Sequence, residues 1–265
     1  MPELPEIETV KLQLRKVLIG QKLLESKFPQ LAGKKVVGIE RKGKVLLINF
    51  GPGLDLGFHF KMTGQLIYEA QGKRIVGGHP TEDFVNKMPS KHTRAVFHLS
   101  GGTLYFNDQR MFGWIMLNPK FVDKLGPEPF ELSVDQFISL ISKRKKPIKL
   151  VLMDQEIISG VGNIYANDAC WEAKVNPRRL ANTLTAKQYH DLYIGVVRVL
   201  REGIKYGGAT AVDAKYIDLH GLGGHYQEHF RVYDREGEMC HRGDGIIHRF
   251  ELGGRGTYYC PKCQV

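Results

Sequence analysis

At 265 residues with 42% hydrophobic content, the chain can bury a substantial core, and its length suits two moderate domains better than one very large one. A formal net charge of +10 favours a polyanionic partner, and the lack of a long apolar span makes nucleic acid the expected polyanion rather than a membrane surface. No charged-then-apolar leader opens the chain, so the expected location is the cytoplasm or nucleoid. Of the four cysteines, Cys240, Cys260 and Cys263 crowd into the last 26 residues while Cys170 lies in an apolar helical stretch, a distribution suited to metal binding and not to a disulfide framework.

The chain opens Met1-Pro2-Glu3-Leu4-Pro5-Glu6-Ile7-Glu8. If processing frees Pro2, its nitrogen becomes a secondary amine, and an α-amino group titrates near 7.7 to 8, so part of it is unprotonated and nucleophilic near neutral pH. Attack on a sugar C1′ would give an iminium, with Glu3 one residue away to carry protons. The plain alternative is an ordinary start whose Glu3, Glu6 and Glu8 favour the positive end of the following helix. Ile7, Val10, Leu14, Val17 and Leu18 form one helical stripe, with Pro5 in the first turn and Gly20 at the stop.

From Gln21 to about Leu117 short apolar runs are broken by Gly-Lys, Gly-Pro-Gly, Thr-Gly and Gly-Gly, the pattern of a β-sandwich or flattened barrel of roughly eight strands. In Leu54 to Lys61, alternation sends Leu and Phe to one face and Asp55, His59 and Lys61 to the other. Arg41-Lys42-Gly43-Lys44 reads as a solvated hairpin tip, and Met62 and Phe112 as core. Leu125-Gly126-Pro127-Glu128-Pro129-Phe130 reads as a linker. Beyond it, Ser133 with Gln136 and Thr185 with Gln188 are capping boxes opening helices near 133–142 and 185–205, the second ended by Gly207-Gly208. The basic run Lys143-Arg144-Lys145-Lys146 is a solvated face. Ser159-Gly160-Val161-Gly162-Asn163 leads two glycines into a helix, which leaves backbone N–H groups open for a phosphate, with Asn163 as a further neutral donor. Asp218 to Gln227 holds three glycines and reads as a flexible connector or lid.

Together Met-Pro-Glu-Leu-Pro-Glu-Ile-Glu-Thr-Val, Asn107-Asp108-Gln109-Arg110-Met111-Phe112-Gly113, the Gly160-Val161-Gly162-Asn163 stretch and Gly254-Arg255-Gly256-Thr257 resemble the formamidopyrimidine-DNA glycosylases along nearly the whole chain. The resemblance implies an α+β multidomain fold: an N-terminal helix plus β-sandwich over 1–118, a linker over 119–132, a helix-two-turn-helix domain over 133–225 and a C-terminal β-hairpin zinc finger over 226–265. It implies Pro2 as nucleophile and Glu3 as proton carrier, with Glu6 as pocket support. Lys44 and Arg255 reach active-site phosphates, and His92, Arg110 and Asn163 contact DNA. Met62, Arg110 and Phe112 form the wedge that fills the hole left by an everted nucleotide. Residues 218–227 become the lesion-capping loop. Gln109 and Met111 depart from the family's usual Pro and Arg or Lys beside Arg110.

The family's finger reads C-x2-C-x16-C-x2-C, and Gly243 stands where its second cysteine belongs, which excludes four-thiolate zinc. Cys240, Cys260 and Cys263 remain to hold Zn2+, with a fourth ligand from His241, Asp244, His248 or water; the alternative is a finger held by packing with little or no metal. The expected function is a monomeric glycosylase and lyase that removes 8-oxoguanine and formamidopyrimidines from duplex DNA held in an interdomain cleft, cutting the strand by β,δ-elimination. Two alternatives stay open: an endonuclease VIII-type enzyme for oxidised pyrimidines, against which Leu4 argues, and a non-catalytic binder of damaged DNA. With Met1 attached the Pro2 nitrogen is a tertiary amide, so the active form is expected to lack Met1.

Overall fold

Helix α1 (Leu4–Leu18) takes the place the apolar stripe gives it, with Glu3 as N-cap in extended conformation and Gly20 at φ +84° just past its end. Ile7, Val10, Leu14 and Leu18 are all nearly or fully buried. The helix can lie close to the strands because Gly77 faces it: a Cβ there would stand 2.4 Å from Val10 Cγ2.

The computed structural model describes residues 1–209 and 224–265. These fall into two units, Met1–Asp123 with Tyr206–Gln227, and Lys124–Lys205 with Glu228–Val265. In the first, nine strands follow α1: β1 (Leu23–Glu25), β2 (Gly38–Lys42), β3 (Val45–Asn49), β4 (Asp55–His59), β5 (Gly64–Ala70), β6 (Lys73–Gly78), β7 (Thr93–Leu99), β8 (Gly102–Asp108) and β9 (Trp114–Leu117). They form a five-stranded sheet ordered β1-β7-β8-β5-β6 and a four-stranded sheet ordered β2-β3-β4-β9, all of whose pairs are antiparallel. Leu46, Ile48, Leu56 and Phe58 of the smaller sheet share one core with Leu66, Phe97, Leu104 and Phe106 of the larger and with α1, so the architecture is a sandwich and not a barrel. Phe58 sits at the middle, its ring centroid 5.7 Å from Phe97 and 5.9 Å from Phe106. The alternation in β4 sends Leu56 and Phe58 inward as expected. The count is nine strands and not eight, because the three-residue β1 is too short to leave a periodic signal.

The second unit holds α2 (Val134–Ile141), α3 (Ile148–Met153), α4 (Asn163–Glu172) and α5 (Ala186–Lys205), followed by the hairpin β10 (His248–Leu252) and β11 (Arg255–Tyr259). Both capping boxes form: Gln136 N donates to Ser133 Oγ at 3.2 Å, and Gln188 N to Thr185 Oγ1 at 3.2 Å. Helix α3 was not expected, since six residues after Pro147 carry too little periodicity to read. The finger is fastened to α4: buried Asp168 accepts from Val232 N (3.1 Å) and Tyr233 N (3.2 Å), and Asn167 Oδ1 accepts from Tyr258 N (2.8 Å). Burial raises the Asp168 carboxyl above its usual range even though these N–H groups pull it down.

Candidate active site and nucleic-acid interface

Pro2 and Glu3 are both buried at the mouth of α1, and Met1 is 37% exposed. Glu6 accepts from Glu3 N through Oε2 (2.7 Å) and from Ala209 N through Oε1 (2.7 Å). Both oxygens of Glu6 therefore hold backbone, one at the helix start and one at the segment after α5, which fits a supporting role and not a reacting one.

Lys44 is 6% exposed, so the solvated hairpin tip expected of this turn is not what forms. Register pairs Lys42 with Val45, leaving Gly43 and Lys44 as a two-residue turn with Gly43 at φ +57°. Arg41 ties that turn to α1: its Nε donates to Glu8 Oε2 (2.8 Å) and its Nη1 to Gly43 O (3.0 Å). The Arg41 and Lys11 cations hold the Glu8 carboxyl below its usual range against the opposing effect of burial, which is the largest single influence. Beyond the turn, His59 is pushed down to about 3, first by burial and then by the charges of Lys61 and Lys44. It stays neutral, and its Nδ1 accepts from Lys61 N at 3.0 Å, which holds Lys61 at φ +48°.

The wedge candidates stand on two turns brought to the same sheet end by the pairing of Gly64 with Asp108. Met62 is half-buried on the turn before β5, whereas Met111 and Phe112 are 66% and 56% exposed after β8. Phe112 is thus no core residue. The Arg110 guanidinium lies 5.1 Å from its ring centroid, within cation–π range. His92 Nδ1 is 3.0 Å from Asp83 Oδ2, and Asn107 Nδ2 donates to the same oxygen at 3.0 Å. Asn107 and Asp83 are buried, so the Asp83 carboxylate that meets His92 is itself held in place by Asn107.

In the second unit, Gly162 is the N-cap of α4, in keeping with the glycine-led helix start. Asn163 Nδ2 donates to Gly256 O (3.2 Å), a bond within the unit that sequence did not foreshadow; the amide carries two N–H donors, so this does not use its whole capacity. Lys149, fully buried, donates to the same carbonyl (3.2 Å) and to Thr257 Oγ1 (2.7 Å). Sequence reasoning missed it; the available signal was a single lysine inside Ile148-Lys149-Leu150-Val151-Leu152. Arg255 is exposed directly after Gly253-Gly254, whose φ values of +59° and +70° make the two-residue turn that glycine permits.

Cys240, Cys260 and Cys263 bring their sulfurs within 4.8 Å of one another. The Cys240 and Cys263 sulfurs are 3.8 Å apart, close to the edge of about 3.8 Å that a tetrahedron with 2.3 Å Zn–S legs would have. The donors fit zinc. Of the fourth ligands considered, His241, Asp244 and His248 do not join the cluster, and His241 Nε2 lies 3.1 Å from Phe230 O instead. Gly243 sits at φ +72° with nothing within 4 Å of where a Cβ would stand. Trp171 Nε1 donates to Cys240 Sγ (3.2 Å), and Arg242, its guanidinium 3.6 Å from the Trp171 ring centroid, donates to Cys263 Sγ (3.4 Å). The lesion-capping loop expected at 218–227 lies mostly outside the described residues, which resume at Gly224.

Comparison with known proteins agrees along the chain. Residues 1–115 match the formamidopyrimidine-DNA glycosylase N-terminal domain, 125–214 the formamidopyrimidine-DNA glycosylase H2TH domain, and 237–265 a zinc finger found in FPG and IleRS. A formamidopyrimidine-DNA glycosylase of Pelotomaculum thermopropionicum is 40% identical over 100% of this chain and 99% of its own, and one of Desulfitobacterium hafniense is 35% identical over the whole of both. Among solved structures, MutM (FPG) of Thermus thermophilus superimposes with a TM-score of 0.85 at 33% identity, covering 99% of this chain and 98% of that one. The Lactococcus lactis Fpg bound to DNA containing an abasic site gives 0.84 at 31% identity and 99% coverage of both.

Proposed function

The chain belongs to the formamidopyrimidine-DNA glycosylase family, DNA glycosylase/AP lyases acting on oxidised purines and abasic sites, and we propose that Pro2 and Glu3 carry that reaction here. The observation that carries the reading is the placement of Pro2 and Glu3, both buried and held to α1 by a capping box through Glu6, at the start of a sandwich whose Lys44 turn is tied to the same helix by Arg41. Once Met1 is removed, the Pro2 nitrogen attacks C1′ of the damaged nucleotide and gives up its proton, the glycosidic bond from C1′ to the base breaks and the base leaves protonated. The C1′–O4′ bond then opens with a proton delivered to O4′, so that an iminium joins Pro2 to the ring-opened sugar. Glu3 handles the protons at the sugar. Loss of a C2′ proton expels the 3′ phosphate oxygen, a second elimination expels the 5′ one, and water then releases the remaining sugar fragment from Pro2.

Lys44, His92 and Arg110 from one unit and Asn163 and Arg255 from the other contact the backbone phosphates, and Met62, Arg110 and Phe112 fill the vacated stack. The partner is duplex DNA, as in the related structures solved with damaged DNA, the protein acts as a monomer, and its location is the bacterial cytoplasm; no helix among the described residues is long and apolar enough to cross a membrane. Cys240, Cys260 and Cys263 would hold zinc, with the fourth position left to water, since no other His, Cys, Asp or Glu among the described residues joins the cluster. When bound, zinc supplies a cross-link that shapes the finger carrying Arg255.

Borohydride reduction on matched duplexes tests the reading. We expect a covalent adduct with 8-oxoguanine duplex and a much weaker one with thymine glycol. The reverse ranking would favour the endonuclease VIII-type alternative, and no adduct with either would leave a non-catalytic binder.

A further inference from the structure

Asp108 is 1% exposed and sits at the last position of β8, immediately before the wedge turn. Its carboxylate takes donors from both wedge turns. Oδ1 accepts from Thr63 Oγ1 (2.5 Å), the neighbour of Met62, and from Arg110 N (3.3 Å); Oδ2 accepts from Gly113 N (2.6 Å), on the far side of Phe112. Thr63 Oγ1 in turn accepts from Arg110 N at 3.0 Å, so its hydroxyl links the two turns directly. The Asp108 N–H donates to His92 O (3.0 Å), which brings a proposed phosphate contact into the same knot.

A wedge must hold its shape while it displaces a base from the stack, at a cost of a few kcal/mol. The turn from 109 to 112 has little packing to resist that load, since Gln109, Arg110, Met111 and Phe112 are all exposed, and Met111 is at φ +61°, a left-handed conformation that a side chain such as methionine rarely adopts. Pro, which would stiffen the turn, is absent; Gln109 stands in its place. What remains to fix Arg110 and Phe112 relative to Met62 is hydrogen bonding, and within these two turns it converges on one buried carboxylate and one hydroxyl.

We propose that Asp108, acting through Thr63, is the positioning residue of the void-filling wedge, joining the Met62 turn and the Arg110–Phe112 turn so that they enter the duplex as one piece. The inference rests on the glycosylase reading above and adds a specificity to it: the staple matters where a stacked base must be replaced and is dispensable where nothing has to be displaced.

Single-turnover adduct formation under borohydride, on a duplex with 8-oxoguanine opposite cytosine and on a single strand carrying an abasic site, separates these cases. Asp108→Asn and the isosteric Thr63→Val are expected to slow the duplex reaction by roughly 10- to 100-fold, the range for hydrogen bonds to a buried charge, while leaving the single-strand reaction within about threefold. Thr63→Ser, which keeps the hydroxyl, is expected to stay within about threefold of the unsubstituted protein on both substrates. Combining Asp108→Asn with Arg110→Ala should slow the duplex reaction by less than the product of the two single losses, because both act on the same wedge. Equal losses on the two substrates would make Asp108 merely structural and overturn the proposal, as would an unimpaired Thr63→Val. No adduct from the unsubstituted protein on either substrate would instead overturn the glycosylase reading, and the inference with it.

Discussion

The N-terminal corner and the C-terminal finger each have to hold a few polar groups in a fixed arrangement, and they do so by opposite means. At the corner, buried and half-buried carboxylates take backbone and side-chain donors: Glu6 spans Glu3 and Ala209, Glu8 holds Arg41, and Asp108 gathers the wedge. In the finger, the three thiols cluster beside a glycine that contributes no side chain, and the hydrogen bonds from Trp171 and Arg242 reach sulfur. The first arrangement is made by hydrogen bonds within the polypeptide; the second gathers three thiols that fit a metal ion. The lesson is that the chain departs from its family in both places, at Gln109 and Met111 and at Gly243. At the first its own Asp108 and Thr63 hold the turn, while at the second no side chain among the described residues replaces the missing cysteine.

The comparison breaks most visibly at Glu3. Glu3→Gln keeps the size of the side chain but cannot take up a proton, so base release should fall by about 10²- to 10⁴-fold, the usual weight of general acid–base catalysis, with the melting temperature nearly unchanged. A comparable drop in stability would mean that Glu3 is an N-cap before it is a proton carrier.

A smaller effect tests the buried polar groups of the first unit. His59 is depressed from its ordinary value to about 3, so the unfolded chain takes up a proton below about 6.5 that the folded one refuses. Stability from this group is therefore complete above about pH 6.5 and is lost progressively toward pH 3. Between pH 7.5 and 5 the loss should be about 2 kcal/mol, and His59→Gln, which retains an acceptor for Lys61 N, should flatten it in urea titrations at the two pH values. An unchanged slope in the variant would move the origin elsewhere.

The smallest effect sharpens the other half. A chelator should strip metal readily from the unsubstituted finger, and Gly243→Cys should slow that loss by roughly tenfold or more, with the fourth thiolate set against a left-handed backbone strain of about 1 kcal/mol. Metal analysis during chelation reads this directly, and equal loss rates would show that the site does not extend toward residue 243.

Much of this was legible in the sequence because it is local. The α1 stripe, the capping boxes at Ser133 and Thr185, the glycine-led start of α4 and the two-glycine finger tip all follow from neighbours within a few positions. What escaped depends on partners far along the chain. Lys44 and Lys149 are buried, and Lys149 owes its place to Gly256 and Thr257, more than a hundred residues away. Asp108 looked like one letter of a motif; its role emerges only when Thr63 stands beside it. His241 was a reasonable metal ligand by type and position, yet its ring nitrogen faces the Phe230 carbonyl. Nearest-neighbour pattern carries the helices and turns, and side-chain direction settles who meets whom.

The central claim is that a free Pro2 nitrogen bonds to the sugar, and mass spectrometry of the borohydride-trapped complex after proteolysis tests it most directly. The account requires the reduced sugar on an N-terminal peptide that starts at Pro2 and lacks Met1. A fully active protein that retains Met1, or a sugar attached to a lysine such as Lys44 in place of Pro2, would contradict it.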